Sequence, residues 1–292
     1  MRFNKWKTDR FKGNIELVTS PFELVELLKS RRDNVTSGMS ELQYIARGRS
    51  PRDPEWSGFS TSEELITKLT EGVPMDETSG IADLRRTLAE ISTDDVKKLR
   101  EPILDVQGGV PVVPLVLLGI PTCMRSLRKM DVPSKILTVS VCVGDVCNIS
   151  SERMREVNLG ILSAIFSVEK AGYRVRLFVE TDYYYPNGDS RIYAMQVKTE
   201  HQTFNLSRMM YPLSDTSFFR GVSFEWHVSD PDGRARGGLG YNPGYGNAER
   251  MAAWASVGVK GPINFFKTHE FVRSRKTTDE IRRECIISML KV

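Results

Sequence analysis

Ile136-Leu-Thr-Val-Ser-Val-Cys-Val143 is an apolar run rich in β-branched residues, short enough for a strand and too uninterrupted for a half-exposed one. It reads as a buried central strand. Gly144–Ile149 breaks the run, Ser150 is a candidate N-cap, and Met154, Val157, Leu159, Ile161, Leu162, Ile165, Phe166 and Val168 then follow at helical spacing. The helix is expected to end at Ala171, with Gly172 as a left-handed cap. Tyr173–Glu180 (YRVRLFVE) follows as a second strand, and a crossover of this length implies a parallel, right-handed unit. After the turn signal Tyr185-Pro-Asn-Gly-Asp189, Arg191–Glu200 alternates like an antiparallel edge strand exposed on one face.

Working outward, Gly261–Phe266 is the best candidate for a fourth strand, on the other side of the first. The expected fold class is α/β, with a Rossmann-like sheet of order 3-2-1-4, parallel strands and an antiparallel edge. Its switch point lies at the carboxyl end of Ile136–Val143, where open α/β sheets bind ligands. Gly144, Asp145, Asn148, Ser150 and Ser151 therefore form the expected partner-binding loop.

The flanking regions are read from caps and breakers. Pro21 opens a short helix, Phe22–Lys29; Ser60 or Thr61 precedes another, Ser60–Glu71, ended by Gly72; Asp83–Arg100 is a third amphipathic candidate. Residues 1–52 are expected to form a basic arm lying off the sheet, 53–130 a helical region packing on the core, and 131–292 the α/β domain. Phe204–Arg220 is expected to be helical and broken at Pro212, and Val222–Val228 (VSFEWHV) alternates like a strand with Glu225 and His227 on an exposed face. Asp230–Gly246 is a glycine-rich loop, and Asn247–Val257 and Thr278–Leu290 are helices.

Net charge is +4, but residues 1–52 hold eleven Lys/Arg against six Asp/Glu, so the arm is +5 and the rest −1. Lys5, Lys7, Arg10 and Lys12 stand among Phe3, Trp6 and Phe11, while Arg234, Arg236, Tyr241 and Tyr245 lie in the glycine-rich loop. Cations among aromatics suit phosphates and stacked bases, which makes nucleic acid the alternative partner. No apolar run reaches the roughly 18 residues a bilayer span requires. No membrane partner is expected, and a cytosolic location is.

The four cysteines make no disulfide framework, and His201, His227 and His269 share no ligand spacing with them. Gly108-Gly109 lacks the Lys-Ser/Thr of a phosphate-binding loop. No nucleophile–base order or dinucleotide fingerprint is present, so no catalytic residue, metal or cofactor is assigned. Asp145, Glu180 and Asp182 at strand ends are the residues that a hydrolase or nuclease reading would use.

Phe59-Ser-Thr-Ser-Glu-Glu64 with Gly72, Asp105-Val-Gln-Gly-Gly109, Gly119-Ile-Pro-Thr-Cys-Met124 and the strand–helix–Ala171-Gly-Tyr-Arg-Val175 unit form an ordered set. Over Phe59–Trp226 that set resembles an uncharacterised protein family of tailed bacteriophages and prophages. The resemblance implies a phage origin and action in the host bacterial cytoplasm, and brings no established activity. More distantly, the strand–helix–strand–antiparallel-strand order is similar to von Willebrand factor A-type domains. Those use Asp-x-Ser-x-Ser after the first strand to hold a hard divalent ion. Here Ser140-Val-Cys-Val-Gly-Asp145 stands in that place, so the resemblance implies a degenerate metal site. The expected role is that of a non-enzymatic phage accessory protein that binds an unidentified phage or host protein.

Overall fold

The computed structural model describes residues 1–8, 12–33, 58–59, 61–73, 103–105, 110–111, 113–118, 120, 124–126, 136–143, 150–184, 189–230 and 247–290. Its strands are β1 (Arg2–Lys7), β2 (Lys12–Val18), β3 (Ile103–Asp105), β4 (Val110–Pro111), β5 (Met124–Ser126), β6 (Ile136–Cys142), β7 (Arg174–Tyr184), β8 (Asp189–Lys198) and β9 (Ile263–Lys267). Its α-helices are α1 (Pro21–Asp33), α2 (Ser62–Glu71), α3 (Val113–Leu117), α4 (Ser151–Lys170), α5 (Leu206–Ser214), α6 (Phe224–Ser229), α7 (Asn247–Ser256), α8 (Thr268–Arg273) and α9 (Thr278–Leu290). A π-helix, Phe218–Ser223, runs directly into α6.

Six strands form one mixed sheet in the order β1-β2-β8-β7-β6-β9. β6 pairs in parallel with both β7 and β9, β7 pairs antiparallel with β8, and β8 in parallel with β2. The sheet has an antiparallel edge, but it is β1 and not Arg191–Glu200, since β8 is interior. The arm makes the difference: β1 and β2 pair antiparallel and extend the sheet by two strands. Arg2–Lys7 and Lys12 therefore belong to the folded body. Sequence alternation hid this, since only Trp6 of β1 turns inward while its neighbours face water. A separate three-stranded sheet has the order β3-β5-β4. Between β4 and β5 in the chain, Val113, Val116, Leu117 and Leu118 are exposed.

The central unit follows local signals. Ser150 Oγ accepts the Arg153 backbone N–H at 3.2 Å, which satisfies one of the open donors at the start of α4. Gly172, at φ +99°, ends the helix in a conformation that a Cβ would oppose. Leu137, Val139, Val141 and Val143 of β6, with Val175, Leu177 and Val179 of β7, face α4, whose Val157, Ile161, Leu162, Ile165 and Val168 are wholly buried against them. α9 lies against α4 at Gly160, where a Cβ would approach Ile281 Cγ2 and the Thr278 carbonyl oxygen to 2.9 Å. The same core takes in α1, α2 and α5 through Leu24, Leu65 and Met209.

Two further expectations change. Pro212 sits inside α5 without breaking it, and Val222–Val228 is helical rather than a strand. Glu225 and His227 are consequently buried, not solvent-facing, and His227 stacks on Tyr183 with ring centroids 4.1 Å apart. The Asp83–Arg100 candidate lies outside the described residues.

The opposite face of the sheet is covered, among the described helices, by α7. Ala253, Trp254 and Val257 pack there on Trp6, Ile15, Leu17, Phe178, Ile192 and Ala194.

Candidate functional site

The carboxyl ends of β6 and β7 lie side by side, with Cys142 in register with Glu180. Side chains alternate across a strand, so Ser140, Cys142, Glu180 and Asp182 project to the face opposite α4. There they meet α7. Arg250 pairs with Glu180, and its Nη2 donates to Asp182 Oδ2 at 2.6 Å. The other Glu180 oxygen accepts from Ser140 Oγ at 2.9 Å and from Trp254 Nε1 at 2.8 Å. Cys142 Sγ donates to Asp182 Oδ1 at 3.4 Å. The side chains of Glu180, Asp182 and Arg250 are all 0 % exposed. Charges so deep are tolerated only when paired and hydrogen-bonded, which each of them is.

A second polar layer lies on the α4 face. Glu16 accepts from Arg31 Nη2 and Trp226 Nε1, both at 2.8 Å. Asp230 pairs with Arg191 at 2.7 Å and accepts from Tyr193 Oη at 2.8 Å. Tyr183 Oη lies 2.6 Å from Ser223 Oγ. These bonds join β2 to α1 and α6, β7 to the π-helix, and β8 to the residue that follows α6.

Of the expected partner-binding loop, Gly144, Asp145 and Asn148 lie outside the described residues. Ser150 is engaged as the cap of α4, and Ser151 is that helix's first residue. Lys5 and Lys7 are exposed on β1, and Lys12 begins β2; Arg10, Arg234, Arg236, Tyr241 and Tyr245 lie outside the described residues. Trp6 is buried and cannot stack on a base, whereas Phe3 is exposed with the Arg191 guanidinium 5.6 Å from its ring centre. Asp145 lies outside the described residues, so of the three acids in the hydrolase reading only Glu180 and Asp182 are seen together.

Cys142 and Cys285 are both buried, and burial pushes the Cys285 thiol well above its ordinary range, leaving it protonated and unreactive. Among the described residues no group of three or more His, Cys, Asp or Glu is arranged to hold a metal ion. No described helix is long and apolar enough to cross a membrane.

Sequence reasoning missed Arg250 and Trp254 as partners of the β7 acids. A signal existed. Two carboxylates at alternate positions of an apolar strand require a cation, and Arg250 and Trp254 are four residues apart on one face of a short helix.

These features define a mixed α/β protein with helices on both faces of a six-stranded sheet. A family model described as a domain of unknown function, DUF7192, matches residues 20–290, and the chain belongs to that family. No curated protein and no solved structure matches it.

Proposed function

We propose that this chain is a non-enzymatic binding protein that engages a partner protein through the loop Gly144–Ser151. In this reading the β6–α4–β7–β8 unit, with β9 beside β6, is a Rossmann-like relative of A-type domains with a degenerate metal site. The observation that carries it is the pairing of Glu180 and Asp182 with Arg250 inside the fold. Acids that a hydrolase would present to substrate are engaged as structural charges, and the loop at the carboxyl end of β6 is left for recognition. Phage origin and action in the host bacterial cytoplasm belong to the same proposal and rest on the ordered motifs from Phe59 to Val175.

Nucleic-acid binding is the second reading, favoured by the exposed Lys5 and Lys7 beside the exposed Phe3. Gel-shift titration at several salt concentrations separates the two, because phosphate contacts make affinity fall steeply with salt. The companion experiment replaces residues 144–149 by a Gly-Ser segment of equal length. Binding of a phage or host protein by the unaltered chain, lost in this variant at an unchanged melting temperature, is the expected result. Salt-sensitive nucleic-acid binding at physiological ionic strength that disappears in Lys5→Glu/Lys7→Glu overturns it.

A further inference from the structure

The sheet ends at β1, and among the described residues no strand pairs with its outer side. In an antiparallel hairpin, alternate residues direct both main-chain groups to the partner strand and the others direct both away. The Lys5 N–H points to the Asn4 side-chain Oδ1, to which it donates at 2.9 Å, and that direction places Lys5, and by alternation Phe3 and Lys7, in the outward set. Their side chains stand in a row on one face of the strand and are exposed. Neither Lys5 nor Lys7 has a side-chain partner among the described residues. Arg2, by contrast, donates to the Val257 carbonyl oxygen and Asn4 to that of Ser256, and these bonds fasten β1 to the end of α7. The edge is therefore fastened; its Lys5 N–H is held by Asn4, while the other outward main-chain groups and the two lysine side chains meet no neighbouring strand or acid among the described residues.

We propose that β1 is a docking edge for an acidic, extended segment of another protein, which adds to it antiparallel as a further strand. Charge decides the occupant. Antiparallel pairing of two copies of β1 through their outward sets would place Lys5 opposite the other copy's Lys5 and Phe3 opposite Lys7, and like charges directly opposed across strands repel. A segment reading acid–x–acid–x–apolar instead places carboxylates opposite Lys7 and Lys5 and an apolar side chain opposite Phe3. Main-chain hydrogen bonds supply the attachment and the alternate side chains supply the choice of partner. This surface is separate from the Gly144–Ser151 loop and does not depend on it.

The test uses the full chain and a fluorescein-labelled peptide, Thr-Glu-Thr-Glu-Thr-Val-Thr, followed by fluorescence anisotropy. Controls are the peptide with Lys for Glu and the peptide with Pro for its central Glu. The acidic peptide is expected to bind and both controls to fail. Lys5→Pro removes the Lys5 cation together with the N–H that a docked strand would take over from Asn4 Oδ1, and a strand already gives Asn4 the extended backbone that a following proline requires. It is expected to weaken binding by about tenfold or more at an unchanged melting temperature. Lys5→Glu/Lys7→Glu, which leaves the backbone unchanged, is expected to abolish binding and keeps the proposal testable if the proline variant unfolds. Binding of the proline-containing peptide as tightly as its parent would reduce the interaction to plain charge attraction and overturn the proposal. So would no binding of the acidic peptide at low salt, self-association through β1, or displacement of the peptide by a single-stranded oligonucleotide of equal length. Because none of these readouts involves residues 144–149, the partner-loop reading can fail while this one stands, and the reverse.

Discussion

The two faces of the sheet are held by different forces. On one, α4 and α9 lie over an apolar layer in which the close approach at Gly160 sets the spacing. On the other, the ten-residue α7 joins an apolar patch around Trp254 to a fully buried arrangement of one guanidinium and two carboxylates. Apolar packing is graded and tolerates exchanges of similar volume. A buried ion cluster contributes little relative to a well-packed apolar substitute, yet removing one member leaves an uncompensated charge in a medium that cannot solvate it. The layer beneath α4 and α9 should therefore be sensitive to volume and the α7 face to charge, while the Glu16–Arg31 and Arg191–Asp230 pairs make the remainder of the α4 face sensitive to charge as well.

The largest expected effect comes from that difference. Arg250→Ala should cost about 3–5 kcal/mol, the scale found when one partner of a buried pair is removed. Urea unfolding measures it. The triple variant Arg250→Met, Glu180→Gln, Asp182→Asn should recover most of the loss, since no charge is then left unpaired. A single variant within about 1 kcal/mol of the parent would erase the distinction between the faces. A triple variant no better than the single one would show that α7 is held by shape rather than by charge.

On the α4 face the corresponding probe is volume. Gly160→Val adds a branched side chain where even a Cβ meets Ile281 and the Thr278 carbonyl at 2.9 Å. Overpacking of this kind costs about 1–3 kcal/mol, so the melting temperature should fall while the Arg250 cluster is undisturbed. The Gly160→Val and Arg250→Ala losses should add, because the two sites share no partner across the sheet. A coupling above about 0.5 kcal/mol would mean that the faces communicate through β6 and β7.

Elements whose period and end signals agree were legible in the sequence. β6, α4 and α9 combine an apolar period with a cap or breaker, and the structure has them within a residue or two of the expected ends. The arm was not legible. β2 buries Ile15 and Leu17 on one face and Val18 on the other, but β1 contributes only Trp6, so its charges concealed a strand. Val222–Val228 misled in the other direction: Val222, Phe224 and Trp226 alternate, yet Phe218, Val222 and Trp226 also recur every four residues, and burial on all sides let the helical period prevail. The Arg250 cluster was hidden by distance, since Arg250 is 68 residues from Asp182 and Trp254 is 74 from Glu180. No local pattern reports such a pairing. The acids themselves were visible as candidates for chemistry, and only the fold supplies their partner.

A rim pair on β7 gives the smallest and most discriminating comparison. Arg176 lies four residues before Glu180 on the same strand, and its Nε and Nη2 meet the two oxygens of Glu200 at 2.9 and 2.5 Å. Unlike Glu180 and Arg250, this pair reaches solvent. The Arg176 hydrogen bonds hold the Glu200 carboxyl at about 2, below its ordinary value of 4.5. A lowered acid contributes stability that is fully present above the unfolded value and is lost as pH falls through the folded one. The window is therefore from about pH 4.5 down to about pH 2. Solvent screening limits the contribution to about 0.5–1 kcal/mol despite the bidentate geometry. Glu200→Gln should cost that much at pH 7, and the gap between variant and parent in urea unfolding should narrow as pH is lowered through the window. A gap that stays constant with pH would mean that Glu200 is held by its main-chain setting rather than by Arg176. A gap approaching the roughly 3–5 kcal/mol expected for Arg250→Ala would mean that the rim is as dry as the interior, and burial could no longer explain why the two pairs on β7 differ.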